Sequence, residues 1–184
     1  MNAISLLKAD HREVEKHFKE FEAASDRAYV TKRKAVDAMI EDLSVHAVIE
    51  EQVFYPAARN ANTTSTDLVL ESIEEHHIVK WLLSELQSMD ASDERFDPKV
   101  RVLIDNVRHH IAEEERELFP KVEKALSSEH LRDLGEELET AKKVAPTRPH
   151  PRAPDSPPAN MVAGLVSFWM DRGRDVVKAV TPGH

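Results

Sequence analysis

The 184-residue sequence contains no cysteine, only four glycines and few aromatic side chains. Without cysteine, neither a disulfide framework nor a thiolate metal site can form. The scarcity of glycine argues against a β-rich fold, which would need many tight turns. The sequence also lacks a run of about 18 apolar residues, so we expect no membrane span. Residues 1–5 lack the basic and apolar parts of a secretory signal, and we therefore expect a cytoplasmic protein.

Basic charge is scarce over most of the chain. Residues 1–140 hold 18 Lys and Arg against 31 Asp and Glu, whereas residues 141–184 hold seven basic and three acidic residues. Because phosphate contacts need a basic face, the acidic part argues against a nucleic-acid partner. The ten histidines are the feature of the composition that most needs an explanation.

Apolar residues at helical spacing predict four long helices. The four stripes run from Ile4 to Phe21, from Val36 to Phe54, from Val69 to Leu86 and from Val100 to Val122. Asp97 followed by Pro98 is a good cap and first position for the fourth helix. The connections between these helices are short, so neighbouring helices should be antiparallel. A shorter fifth helix is predicted over about residues 128–143, which completes a bundle domain over residues 1–145.

The chain changes character after this domain. Residues 146–158 contain six of the ten prolines, which predicts an extended linker over residues 146–160. Residues 161–184 are predicted to form an amphipathic helix and tail. We expect this helix to dock on its own bundle or on a second copy as a homodimer. A membrane surface is the disfavoured alternative, because an acidic body is repelled by anionic lipid.

Polar residues interrupt the apolar stripes at positions that should point inward. They are four histidines and two glutamates: His11, His46, Glu50, His76, His110 and Glu114. Such groups are costly to bury unless they are hydrogen-bonded, paired or bound to metal. In a bundle these faces meet at the centre, so the six groups should converge there.

The two halves of this set repeat. The segment His46-Ala-Val-Ile-Glu50 aligns without a gap with His110-Ile-Ala-Glu-Glu114, and Asp10-His11 aligns with Glu75-His76. Residues four apart lie on one face of a helix, so both side chains of each pair can reach one centre. A single buried histidine is usually satisfied by ordinary hydrogen bonds, but two copies in the same register favour a metal site.

The types of donor in this set indicate the metal. Imidazole suits zinc, copper, iron and nickel, while carboxylates favour harder ions and can bridge two of them. Four histidines and two glutamates therefore predict a dinuclear site, with iron favoured and manganese as the next candidate. Glu50 and Glu114 are expected to bridge the two ions.

The order His11, His46-x-x-x-Glu50, His76, His110-x-x-x-Glu114 resembles the hemerythrin-like, or HHE cation-binding, domain over about residues 1–126. The resemblance implies an all-α, up-down-up-down four-helix bundle. It also implies a non-haem centre of two iron ions with an oxo or hydroxo bridge.

The sequence departs from the oxygen-carrying members of that family at two positions. Those proteins have a fifth histidine where Lys80 stands, and their fourth-helix motif ends in an aspartate at five-residue spacing, whereas Glu114 stands at four. The resulting open coordination positions suit reaction with peroxide or nitric oxide better than reversible oxygen carriage.

Tyr55 is the remaining candidate at this site. It precedes Pro56, which removes a backbone hydrogen bond and can twist the helix there. We expect Tyr55 to pack at the end of the bundle; the alternatives are a seventh ligand or a hydrogen bond to a ligand.

These observations predict a di-iron protein that consumes small oxidants, either by catalase-like disproportionation of hydrogen peroxide or by scavenging nitric oxide. No catalytic residue is assigned beyond the metal centre, and whether the protein is an enzyme stays open. The alternatives are a sensor of O₂, nitric oxide or iron, an O₂-binding module, or iron storage.

Overall fold

A computed structural model describes residues 1–61 and 65–151. The predicted C-terminal helix over residues 161–184 and most of the predicted linker lie outside these residues. In the described part, no helix is long and apolar enough to cross a membrane. The boundaries of the linker and the docking of the C-terminal helix stay predictions.

The described residues form helices and contain no strand, which confirms the all-α prediction. The four long helices form an antiparallel up-down-up-down bundle, and a fifth helix packs beside it. Helix α1 spans Ala3–Ala23, α3 spans Thr66–Ser88 and α5 spans Ser128–Val144. Helix α2 comprises Tyr29–Ile49, a π-helical turn at Glu50–Phe54 and Tyr55–Ala61, and α4 likewise comprises Phe96–Glu113, Glu114–Leu118 and Phe119–Ala125.

The core of the bundle has two apolar layers with a polar layer between them. One layer includes Leu7 and Phe119, and the other includes Phe18 and Leu103. Along α1 the order is Leu7, then His11, then Phe18, so the histidine lies between the two layers. The apolar layers exclude water above and below the polar groups.

The two π-helical turns occupy matching positions in α2 and α4. Each begins at the glutamate of a His-x-x-x-Glu segment and ends two residues before a proline, Pro56 or Pro120. Proline has no N–H, and its ring crowds the carbonyl four residues earlier, so the α-helical hydrogen bonding cannot continue. The backbone N–H of Tyr55 bonds instead to the carbonyl of Glu50, five residues earlier. This wider turn brings residues five apart onto one face.

Helix α5 lies close to the N-terminus because Gly135 has no side chain. A Cβ atom at Gly135 would be 2.2 Å from the carbonyl oxygen of Met1. Among the described residues after α5, 145–151, none is in a helix or strand, yet Ala145, Pro146 and Pro149 are buried. The first residues of the predicted linker therefore pack against the bundle.

Candidate metal centre

The structure brings all six predicted residues together in the polar layer. His11 comes from α1, His46 and Glu50 from α2, His76 from α3, and His110 and Glu114 from α4. Their exposed fractions range from 0% for Glu50 to 7% for His46. All four helices therefore contribute to one buried cluster.

The six side chains form two groups that share a carboxylate. One group holds His11, His46, Glu50 and Glu114, and the other holds Glu50, His76 and His110. Glu50 Oε2 lies 3.1 Å from His46 Nε2 and 3.4 Å from His76 Nε2. Glu114 Oε2 likewise lies 3.4 Å from His11 Nε2 and 3.6 Å from His110 Nε2. Each glutamate therefore lies close to one histidine of the pair His11 and His46 and to one of the pair His76 and His110.

Several of these donor atoms are buried without a hydrogen-bond partner. They are His11 Nε2, His46 Nε2, Glu50 Oε1 and Glu114 Oε2. Buried polar atoms of this kind cost free energy unless something else satisfies them. Imidazole nitrogens and carboxylate oxygens are ligands for cations of intermediate hardness. The residues therefore fit a metal centre.

A second set of carboxylates faces the other ring nitrogen of each histidine. The distances to Nδ1 are 2.9 Å for Glu115 and His11, 3.8 Å for Asp10 and His46, 2.9 Å for Glu51 and His76, and 2.8 Å for Glu75 and His110. Three of these are hydrogen-bond distances, whereas the contact of Asp10 is longer. A carboxylate at Nδ1 holds the proton there and leaves Nε2 free to bind a cation.

This outer set follows the same repeat as the inner one. Asp10 and Glu75 each directly precede a histidine of the centre, while Glu51 and Glu115 each directly follow a glutamate. From the sequence, Glu51 and Glu115 are predicted to flank the motif, with a hydrogen bond to a ligand as the alternative, whereas Asp10 and Glu75 have no predicted role as partners of a ligand. The signal that could have found them is an acidic residue at both matched positions of the repeat.

The electrostatics of the cluster show the cost of leaving it without a cation. Burial, and then the charge of Glu114, raise the pKa of Glu50 well above its ordinary value. Burial also opposes ionisation of Glu114, but His110 and His11 outweigh it and hold the pKa of that carboxyl below its usual range. Burial lowers the pKa of His46 to about 4. A bound cation would offset both the burial of these carboxyls and their mutual repulsion.

Tyr55 points into the cluster, so the expectation that it packs at the end of the bundle is wrong. Its hydroxyl lies 3.0 Å from Glu114 Oε1 and 3.4 Å from Glu50 Oε2. It also lies 3.3 Å from His76 Nε2. The π-helical turn explains the difference, because it places Tyr55 on the same face as Glu50. In the other half, Phe119 stacks on the ring of His11 with centroids 5.8 Å apart.

Lys80 introduces a second difference between the two halves. It is buried, and its Nζ lies 2.7 Å from the carboxylate of Glu51, which in turn bonds to His76. The corresponding carboxylate in the other half, Glu115, has a side chain that is 36% exposed. On the His76 side the outer carboxylate is therefore paired with a buried cation, whereas on the His11 side the matching carboxylate is partly exposed to solvent.

The histidines next to the cluster lie outside it. His109 has a side chain that is 63% exposed and lies 3.7 Å from Glu75 and 3.5 Å from Glu113. The side chain of His77 is 38% exposed. These positions agree with the choice of His76 and His110 from the sequence repeat.

The fold and the cluster together define a four-helix bundle with a buried His/Glu centre for metal. Residues 2–122 match the hemerythrin HHE cation binding domain family. The chain belongs to this family, and this domain is a hemerythrin-like metal-binding domain.

The chain is similar to two known proteins and to one solved structure. An uncharacterized hemerythrin-like protein from Schizosaccharomyces pombe is 33% identical over 170 residues, covering 92% of this chain and 83% of that protein. A DNA nickase from Nostoc is 30% identical over 142 residues, or 77% of this chain, but only 39% of that protein. A hemerythrin HHE cation binding domain-containing protein from Mycobacterium kansasii has the same fold, with a TM-score of 0.69 and 21% identity over 100% of this chain and 95% of that one.

Proposed function

We propose that this protein is a non-haem di-iron oxidoreductase that consumes small neutral oxidants. Hydrogen peroxide is the first candidate substrate and nitric oxide is the second. In this proposal His11 and His46 hold one iron, and His76 and His110 hold the other. Glu50 and Glu114 would bind both ions. When bound, the iron pair supplies the redox change that peroxide disproportionation requires.

The observation that carries the proposal is the position of the two glutamates. Glu50 Oε2 is within 3.4 Å of one histidine from each pair, and Glu114 Oε2 is within 3.6 Å of one histidine from each pair. A carboxylate with this placement suits two cations better than one. Four imidazoles and two carboxylates leave positions for a small molecule to bind.

The other residues of the site have supporting roles in this proposal. The outer carboxylates orient the histidines, and the two apolar layers keep bulk water away. The Tyr55 hydroxyl lies 3.0 Å from Glu114. It would therefore be able to ligate an iron held by Glu114 or to donate a hydrogen bond to the carboxylate of Glu114. Lys80 stands at the position of the fifth histidine of oxygen carriers and is paired with Glu51, which leaves that ligand position open.

The nickase activity of the Nostoc relative is not part of this proposal. The match covers 39% of that protein. The acidic charge of residues 1–140 also opposes contact with phosphates.

The test compares iron with zinc in the same site. Metal-free protein is loaded anaerobically with ferrous iron or with zinc, and oxygen release from hydrogen peroxide and loss of nitric oxide are followed with electrodes. We expect the iron-loaded protein to be active and the zinc-loaded protein to be silent, because zinc has no accessible redox change. An inactive iron-loaded protein, or equal activity with zinc, would refute the proposal.

A further inference from the structure

A cavity of about 240 Å³ reaches the metal centre from one side of the bundle. Its lining comes from α1 to α5 and from the residues after α5, and all four histidines of the centre form its inner end. Its outer end is lined by exposed residues, including Glu13, Glu41 and Lys142. The cavity therefore connects the surface with the histidines.

The wall between these ends is largely apolar. Its apolar side chains include Val14, Leu43, Val45, Ala47, Val79 and Val107. A wall of this kind favours an apolar group and provides little to hold water. The outer end instead carries four carboxylates, Asp10, Glu13, Glu41 and Asp42, with Lys142 bonded to Asp10 at 2.5 Å. This rim disfavours anions.

The cavity is larger than hydrogen peroxide or nitric oxide requires. Its volume corresponds to roughly eight water molecules in the liquid. An apolar cavity of about 150 Å³ in another protein is known to bind benzene. By proportion, this cavity accommodates an organic molecule of about ten non-hydrogen atoms.

The outer wall comes from a part of the chain beyond the matched family domain. Lys142, Ala145 and Thr147 line the cavity, whereas the family match ends at residue 122. Ala145 is buried in the segment that follows α5. This addition to the domain therefore shapes the space in front of the histidines.

We propose that this cavity binds the organic part of a neutral hydroperoxide, ROOH, with its peroxide group toward the four histidines. The inference rests on the proposed function and names its substrate class. In the reduction the O–O bond breaks, and ROOH takes up two electrons and two protons to give ROH and water. A bound ferrous pair would supply these two electrons and become ferric.

The first measurement needs no metal and no variant. The probe is 2-phenyl-2-propanol, which has ten non-hydrogen atoms. It is the unreactive alcohol formed from cumene hydroperoxide. We expect saturable binding to the metal-free full chain by calorimetry and a matching rise in its Tm. Absence of saturable binding would overturn the inference even if the iron-loaded protein consumes hydrogen peroxide.

The second measurement compares two peroxides on the ferrous protein and on two variants. Ala145→Phe fills the outer cavity, while Val144→Phe adds the same ring at the neighbouring exposed position. The quantity compared is the rate of cumene hydroperoxide consumption divided by the rate of hydrogen peroxide consumption. We expect this ratio to fall at least about tenfold in Ala145→Phe and to stay unchanged in Val144→Phe.

Different failures in this experiment have different meanings. Wild-type protein that consumes hydrogen peroxide but not cumene hydroperoxide would overturn this inference and leave the proposed function standing. Protein that consumes neither peroxide would overturn both. An unchanged ratio in correctly folded Ala145→Phe protein would also count against the cavity as the binding site.

Discussion

Replacing Glu50 by glutamine should weaken metal binding and yet stabilise the metal-free protein. Glu50 is fully buried beside Glu114, and burial raises its pKa well above the ordinary value. In the metal-free fold Glu50 therefore releases its proton at a higher pH than in the unfolded chain, where it does so near pH 4.3. Glutamine has the same shape and no proton to release.

The size of this effect follows from the difference in proton binding. Between the unfolded and folded pKa values, the contribution of Glu50 to the free energy of unfolding falls by about 1.4 kcal/mol per pH unit as pH rises. The advantage of Glu50→Gln should therefore be near zero around pH 4.5 and grow at this slope until the folded pKa is reached. For a chain of this size 1 kcal/mol corresponds to roughly 2–4 °C in Tm, so each pH unit corresponds to about 3–6 °C.

The assay is thermal unfolding of chelator-treated protein over a pH series, with metal content measured separately after iron loading. Glu117→Gln, at an exposed position, is the control. Because Glu50 belongs to both donor groups, Glu50→Gln should lose most of both ions. A difference in Tm that does not change with pH, or a variant that still holds two ions, would refute the reasoning.

Three further substitutions test other parts of the site. His110→Ala should lower the metal content, whereas His109→Ala at the exposed neighbouring position should not; equal effects would overturn the assignment. Lys80→Met leaves the buried Glu51 carboxylate without its cation and should cost about 3–5 kcal/mol in unfolding free energy. Adding Glu51→Gln to that variant should restore much of the loss, and a loss left unchanged would count against a buried ion pair. Tyr55→Phe should change the visible absorption of the ferric protein, because its hydroxyl lies within 3.4 Å of the cluster; an unchanged spectrum would show that Tyr55 does not interact with the metal.

The parts of this structure that depend on periodicity were predictable from the sequence. The helical stripes and short connections indicated the antiparallel bundle, and the fifth helix predicted over 128–143 is observed at Ser128–Val144. The gapless repeat of His-x-x-x-Glu identified side chains that the structure brings together. The prediction of where α4 begins was less accurate. It begins at Phe96, and Asp97 lies in its first turn with its carboxylate paired to the buried Lys32.

The features that were missed depend on tertiary contacts or on local breaks in the helix. An ideal α-helix places Tyr55 about 140° away from Glu50 around the helix axis. The π-helical turn instead brings the two residues onto one face. The sequence indicated a distortion at Pro56 but not its form. Glu51 and Glu115 occupy positions typical of a solvated helix face, and their partners His76 and His11 come from other helices. Helical spacing within one segment contains no information about such contacts.

Anaerobic titration of the metal-free protein with ferrous iron, followed by analysis of the bound metal and Tm, tests the central claim most directly. We expect an end point of two irons per chain and a Tm that rises as they bind, because a ligand that binds the folded state stabilises it. An end point of one iron, or no binding and an unchanged Tm, would contradict it.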